Sequence, residues 1–128
     1  MLMINESGTQ GLNVLVVEDE SLVLFNLEDV LAELGCSIVG PAMRLPQALA
    51  LAQTAEAVDL AILDVNLAGE PVFPVAEALR ARGVHIIFAT GYGREGLPEE
   101  WQSHTVLMKP YMADDVAKAL ALLTSARV

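Results

Sequence analysis

The chain has 128 residues, 54% of them hydrophobic and only 5% aromatic, and its 7 basic and 17 acidic side chains give a formal charge of −10. At roughly 100–150 residues per domain this is one domain, able to bury about two-thirds of its unfolded surface without metals or disulfides. So apolar a composition excludes a disordered acidic tail, and so negative a balance argues against nucleic acid or anionic membrane as partner, since both need clustered Lys and Arg.

The single cysteine, Cys36, cannot form an internal disulfide, and no second Cys or His lies at zinc-ligand spacing, which fits a reducing cytoplasm. The longest uncharged stretches, such as residues 45–55 and 83–93, have 11 residues each. A spanning helix needs about 18 or more, so no membrane span is expected. Residues 1–11 lack both a basic start and a full apolar stretch, so they read as a flexible leader rather than a secretory signal. The folded domain is then expected at 12–126.

Apolar, β-branched runs recur at near-constant spacing: Asn13-Val14-Leu15-Val16-Val17, Ser37-Ile38-Val39, Leu60-Ala61-Ile62-Leu63, His85-Ile86-Ile87-Phe88-Ala89 and Thr105-Val106-Leu107-Met108. Helical periodicity fills the gaps. It is clearest in Val23, Leu27, Val30, Leu31 and Leu34, after which Gly35 offers a C-cap. Pro46 opens a second helix, and residues 74–81 and 114–126 give two more. Between Gly91 and Thr105, however, Gly91, Gly93, Gly96 and Pro98 leave only about 99–103 with helical bias, so the fourth helix is expected to be short or mobile.

Uniformly apolar strands are covered on both faces, as in parallel sheets sandwiched by helices. The pattern is therefore an α/β (βα)5 chain, and right-handed crossovers favour a flavodoxin-like three-layer fold with a five-stranded parallel sheet in the order 2-1-3-4-5.

Sites in such sheets lie at the carboxyl ends of the strands. Those ends carry Glu18, Asp19 and Glu20 after the first strand, Asp64 after the third, Thr90 after the fourth and Lys109 after the fifth. Grouped carboxylates raise one another's pKa and call for a compensating cation, either the Lys109 ammonium or a hard divalent ion. Magnesium takes about six oxygens, which Glu18, Asp19, Asp64 and the backbone carbonyl of Asn66 can begin to supply. With such an ion neutralising a phosphoryl group, Asp64 is the natural nucleophile, and Thr90 and Lys109 are placed to meet phosphoryl oxygens.

Four segments in this order resemble the receiver domain of two-component response regulators over about residues 12–126. Leu15-Val16-Val17-Glu18-Asp19-Glu20 is similar to that family's first-strand acidic pair, and Ile62-Leu63-Asp64-Val65-Asn66-Leu67 to its phosphoacceptor strand. Phe88-Ala89-Thr90-Gly91-Tyr92 resembles the switch-threonine segment, in the form that names a subset of receivers often without an output domain. Met108-Lys109-Pro110-Tyr111 resembles the Lys-Pro-aromatic end of the fifth strand, where a cis Lys-Pro bond is implied. Two positions depart from the pattern: Ala68 stands where the family usually has Pro, and Val106 where it usually has an aromatic switch residue. The resemblance implies that Tyr92 reports phosphorylation instead.

The resemblance implies a stand-alone, cytoplasmic phosphoacceptor switch. Asp64 would take a phosphoryl group from a sensor histidine kinase or phosphotransfer protein with Mg2+ (or Mn2+), without enzymatic turnover of an external substrate. Switch residues would be Thr90, Tyr92, Lys109 and Pro110. The first helix, with Leu22, Leu24 and Phe25 outside its core stripe, is the expected kinase dock, and the face formed by 91–126 the expected surface for a downstream protein. The chain ends after the fifth helix, so no output domain is expected, and the protein is expected as a monomer or weak dimer. Two alternatives differ in class: a magnesium-dependent aspartyl-phosphate hydrolase, which needs an acid where Asn66 stands, and a flavin-binding flavodoxin-like module, which needs a Gly-, Ser- and Thr-rich loop where Glu18-Asp19-Glu20-Ser21 stands. Outside the site, His85 and His104 read as strand and loop residues, Cys36 as a small core residue, and Trp101, Tyr111 and Phe25 as packing or contact residues.

Overall fold

The computed structural model describes residues 9–125. Five parallel strands, β1 (Asn13–Val17), β2 (Ser37–Ala42), β3 (Leu60–Asp64), β6 (His85–Thr90) and β7 (Thr105–Met108), form one sheet in the order β2-β1-β3-β6-β7. Counting only these strands, that is the expected order 2-1-3-4-5. Uniformly apolar sequence marks the centre of the sheet: all of β3 is buried, as is β6 beyond His85, whereas the edge strands β2 and β7 are partly exposed.

Side chains alternate across a strand, so each central strand feeds two cores. Leu15, Val17, Ala61, Leu63, Ile86 and Phe88 pack with α2 (Leu45–Thr54) and α3 (Phe73–Ala81) on one face. Val14, Val16, Leu60, Ile62, Ile87 and Ala89 pack with α1 (Ser21–Glu33) and α4 (Ala113–Ser125) on the other. The buried stripe of α1 is Leu24, Leu27, Val30 and Leu31. The sequence reading placed Leu24 outside that stripe and Val23 within it. The 3.6-residue period centres the sheet-facing stripe on Leu27 and Leu31, which carries Leu24 inward and leaves Val23 only half-buried. Gly35 ends α1 as expected. Its φ of +83° suits only glycine, and a Cβ there would lie 2.6 Å from the Gln10 side chain.

No α-helix forms between β6 and β7; two 3-10 turns, Arg94–Gly96 and Glu99–Trp101, replace it. Three glycines and Pro98 deny the segment a run long enough for an α-helix, and buried Leu97 and Trp101 anchor it instead. Trp101 packs in an aromatic group with Phe73, Phe88 and His104, and the Arg80 guanidinium lies 4.1 Å over its ring. Arg94 closes the segment by donating to the carbonyls of Gln102 and His104.

A second departure follows the third strand. β4 (Asn66–Leu67) and β5 (Glu70–Pro71) form a small antiparallel hairpin around the turn residues Ala68 and Gly69, whose φ values are both positive, 53° and 88°. Two consecutive positive φ angles match the two-residue turn that suits the twist of a hairpin. Of the leader expected at 1–11, residues 1–8 lie outside the described residues. Residues 9–11 belong to the fold: Thr9 is buried and donates to the Leu34 carbonyl, and the Gly11 N–H donates to Gly35. Among the described residues no helix is long and apolar enough to cross a membrane.

Candidate functional site

Because the strands run parallel and their ends align, with Val17 beside Leu63, Asp64 beside Ala89 and Thr90 beside Met108, the residues that follow them collect at one edge. Glu18, Asp64 and Thr90 are buried there, and carboxylate oxygens of Glu18, Asp19 and Asp64 all lie within 4.8 Å of one another. The Lys109 Nζ is 3.2 Å from Glu18 Oε1, 3.2 Å from Asp64 Oδ2 and 3.8 Å from Glu20 Oε1. One ammonium thus faces several carboxylates.

The imbalance falls on Asp64. Burial, reinforced by the Glu18 charge and the hydrogen bond to Asp19, pushes its carboxyl up to about 7. Burial also works against ionisation of Asp19, but the hydrogen bonds from Asp64 and the Ala68 N–H outweigh it and hold that carboxyl below its ordinary range. For Lys109 burial favours the neutral amine, yet the charges of Glu18 and Asp64 prevail and raise it. Asp64 is therefore the acid of the group that gives up its proton least readily, beside a readily ionised Asp19 and a charged Lys109.

The hairpin brings backbone groups to the same place. Its ladder pairs Leu67 with Glu70, and the Val72 N–H donates to Val65, so Asn66 sits between these bonds with its own main-chain groups turned outward. The Asn66 N–H faces Asp64 Oδ1 at 3.3 Å, and in a strand the carbonyl of the same residue points to the same side. The Asn66 side chain turns the other way and accepts from the Gly69 N–H at 2.8 Å. The Ala68 N–H donates to Asp19 Oδ2 at 3.0 Å, a contact the sequence did not suggest, because nothing in Leu67-Ala68-Gly69 announces a left-handed alanine.

Thr90 Oγ1 accepts the Tyr92 N–H at 3.1 Å, leaving its own O–H to donate. Tyr92 is 84% exposed and contributes to the lining of the cleft that also holds Asp64. Lys109-Pro110 is cis, as the resemblance implied, and Val106 is half-buried where an aromatic was missing. The cleft has a volume of about 470 Å³. All the grouped donors are oxygens, the set a hard divalent cation prefers, so Glu18, Asp19 and Asp64 fit such an ion.

Fold and cleft together define a doubly wound α/β domain with a lysine-paired acidic site at the carboxyl ends of its strands. The chain belongs to the response regulator receiver domain family, whose match covers residues 14–121. It is similar to the solution structure of SdrG from Sphingomonas melonis Fr1, at 44% identity and TM-score 0.77 over 90% of this chain and 98% of that one. The BeF3-activated conformation of SdrG from Pseudomonas melonis Fr1 matches at 43% identity and TM-score 0.74, over 88% of this chain and 95% of that one. Among curated proteins, the transcriptional regulatory protein PdtaR of Mycobacterium tuberculosis is 29% identical over 88% of this chain and 56% of its own length. The phyllosphere-induced regulator PhyR of Methylorubrum extorquens is 25% identical over 93% and 48%. The chain thus spans about half the length of the curated relatives it matches. The Phe88 to Tyr92 signature agrees with these SdrG and PhyR neighbours. At 21% identity, the receiver domain of the Pseudomonas aeruginosa sensor histidine kinase PA1611, solved with magnesium in its active-site cleft, shares the fold with TM-score 0.74 over 90% of this chain and 98% of that one.

Proposed function

We propose that Asp64 accepts a phosphoryl group, with Mg2+ or Mn2+ as cofactor, from the phosphohistidine of a sensor histidine kinase or phosphotransfer protein. The observation that carries this reading is the setting of Asp64: a nearly buried carboxylate between a paired lysine and two further acids, at the end of the phosphoacceptor strand. An Asp64 oxygen attacks phosphorus, the O–P bond forms as the N–P bond breaks, and the departing imidazole keeps the electron pair. Glu18, Asp19, Asp64 and the Asn66 carbonyl would hold the cation, which neutralises charge on the group being transferred. The PA1611 receiver, with magnesium in its cleft, supports this assignment.

Lys109, already 3.2 Å from Asp64, pairs with a phosphoryl oxygen after transfer, and the Thr90 hydroxyl donates to another. The added charge of about −2 draws both residues inward and shifts the backbone of Gly91 and Tyr92, with Pro110 fixing the Lys109 end. Signal then leaves through the 91–126 face, where Tyr92, Met108, Met112 and Leu122 are exposed, either to a downstream protein or as a phosphorelay. The kinase docks beside α1. A groove of about 470 Å³ lined by Leu22, Asn26 and Tyr111 shares Glu20 and Lys109 with the region of the cleft, and Leu22 and Phe25 are the exposed apolar side chains there. Leu24, in the core, takes no part.

In this reading the protein works in the cytoplasm as a monomer or weak dimer and turns over no external substrate. An aspartyl-phosphate hydrolase would place a second acid at 66, and the Asn66 amide is committed to Gly69. Incubation with a small acyl-phosphate donor and Mg2+, followed by mass analysis, tests the assignment. Wild type should gain one phosphoryl group and Asp64→Asn none; phosphorylation of the variant, or none of the wild type even with its kinase, would overturn it.

A further inference from the structure

We propose that the main-chain N–H of Ala68 is a positioning group for cation binding: by holding one oxygen of Asp19 it sets the other toward Glu18 and Asp64. This rests on the reading of those three acids as cation ligands. Glu18 and Asp64 are buried at strand ends and tied to Lys109, but Asp19 lies in the loop between β1 and α1 and is only half-buried. Besides its hydrogen bond with Asp64, it is held from a distant part of the chain by the Ala68 N–H, 3.0 Å from Oδ2 and 49 residues away.

The donor is itself held firmly. Leu67 is fully buried at the root of the hairpin, the Val72 N–H closes the ladder onto Val65, and the Asn66 side chain takes the Gly69 N–H across the turn. Ala68 adopts a φ of 53°, a conformation a side chain rarely takes, and that angle belongs to the turn that carries its N–H toward Asp19. A proline at this position would have neither the angle nor the N–H. The same hairpin presents the Asn66 backbone to Asp64, so two backbone groups from one rigid turn meet two of the acids. Partners of this kind orient metal-binding carboxylates, and their loss commonly weakens metal affinity about tenfold to a hundredfold.

The test removes the Ala68 N–H and keeps its side chain, with the Leu67 carbonyl becoming a weaker acceptor. An ester replaces the amide when lactic acid is built in at position 68, and Mg2+ affinity is then measured by calorimetry on otherwise intact protein. The ester form should bind Mg2+ about tenfold more weakly. Ala68→Gly, which keeps the N–H and suits the angle, should bind as the wild type does, and the Ala68 amide resonance of the wild type should shift on Mg2+ saturation. Equal affinity in the ester form, an equal loss in Ala68→Gly, or an unmoved Ala68 resonance would overturn the positioning role while leaving the cation reading intact. Failure of the wild type to bind Mg2+ would remove both. The amide shift decides the matter even if the ester protein does not fold.

Discussion

Lys109 Nζ stands 3.2 Å from Asp64 Oδ2, yet Asp64 resists ionisation because burial, with the Glu18 charge and the hydrogen bond to Asp19, outweighs that ammonium. Without a divalent ion its carboxyl titrates at about 7 against an ordinary 3.8. Between these values the folded chain keeps a proton that the unfolded chain has lost, so this group's contribution to stability falls as pH rises through the window. Asp64→Asn removes that slope. In the presence of chelator the variant should exceed the wild type at pH 8 by on the order of 3 kcal/mol and converge with it near pH 4. Urea midpoints at pH 4, 6 and 8 measure it, and parallel curves would contradict it.

The same proton competes with a cation. Added Mg2+ should stabilise the folded chain by about 2.7 kcal/mol at a hundredfold excess over its dissociation constant, more readily at pH 8 than at pH 6. Asp19→Asn, which withdraws one donor, should lose most of this response while keeping the fold. Thermal midpoints recorded against Mg2+ concentration supply the comparison.

Trp101 roots the segment that replaces the fourth helix. Trp101→Ala removes a fully buried ring from between Phe73, Phe88 and His104, and should cost about 3–5 kcal/mol. Hydrogen exchange should accelerate most at 94–104, where the backbone bonds depend on that anchor. Trp101→Phe, which refills part of the space, should recover much of the loss.

Tyr111 carries the reverse case. Its hydroxyl is buried with no hydrogen-bond partner among the described residues, and burial together with the charges of Glu18 and Asp64 drives its phenol well above the ordinary range. An unpaired buried hydroxyl is a net cost, so Tyr111→Phe should stabilise the chain by about 1 kcal/mol, or about 3–5 °C in Tm. Calorimetric unfolding distinguishes this from a neutral change.

The sheet was legible because the central strands, covered on both faces, have no polar alternation, and that signal survives any detail of packing. Asp64, Glu18, Asp19, Thr90 and Lys109 were legible for a related reason: once the strand order is known, their positions follow from the strand ends. What the sequence hid is local backbone geometry. The hairpin turns on an alanine at positive φ, for which residue type gives no warning. Thr9 looked like leader, but its burial depends on the end of α1, a contact 25 residues away. Leu24 joins the buried stripe while Val23 packs at its margin, because a one-residue difference in helix phase is below what five apolar positions can resolve.

Trp101 is the one tryptophan of the chain, and it lies against Phe88, two residues before Thr90 on the same strand. Its indole emission is therefore an unlabelled optical reporter of the strand end that bears the Thr90 hydroxyl, readable in stopped flow on the timescale of the transfer proposed for Asp64.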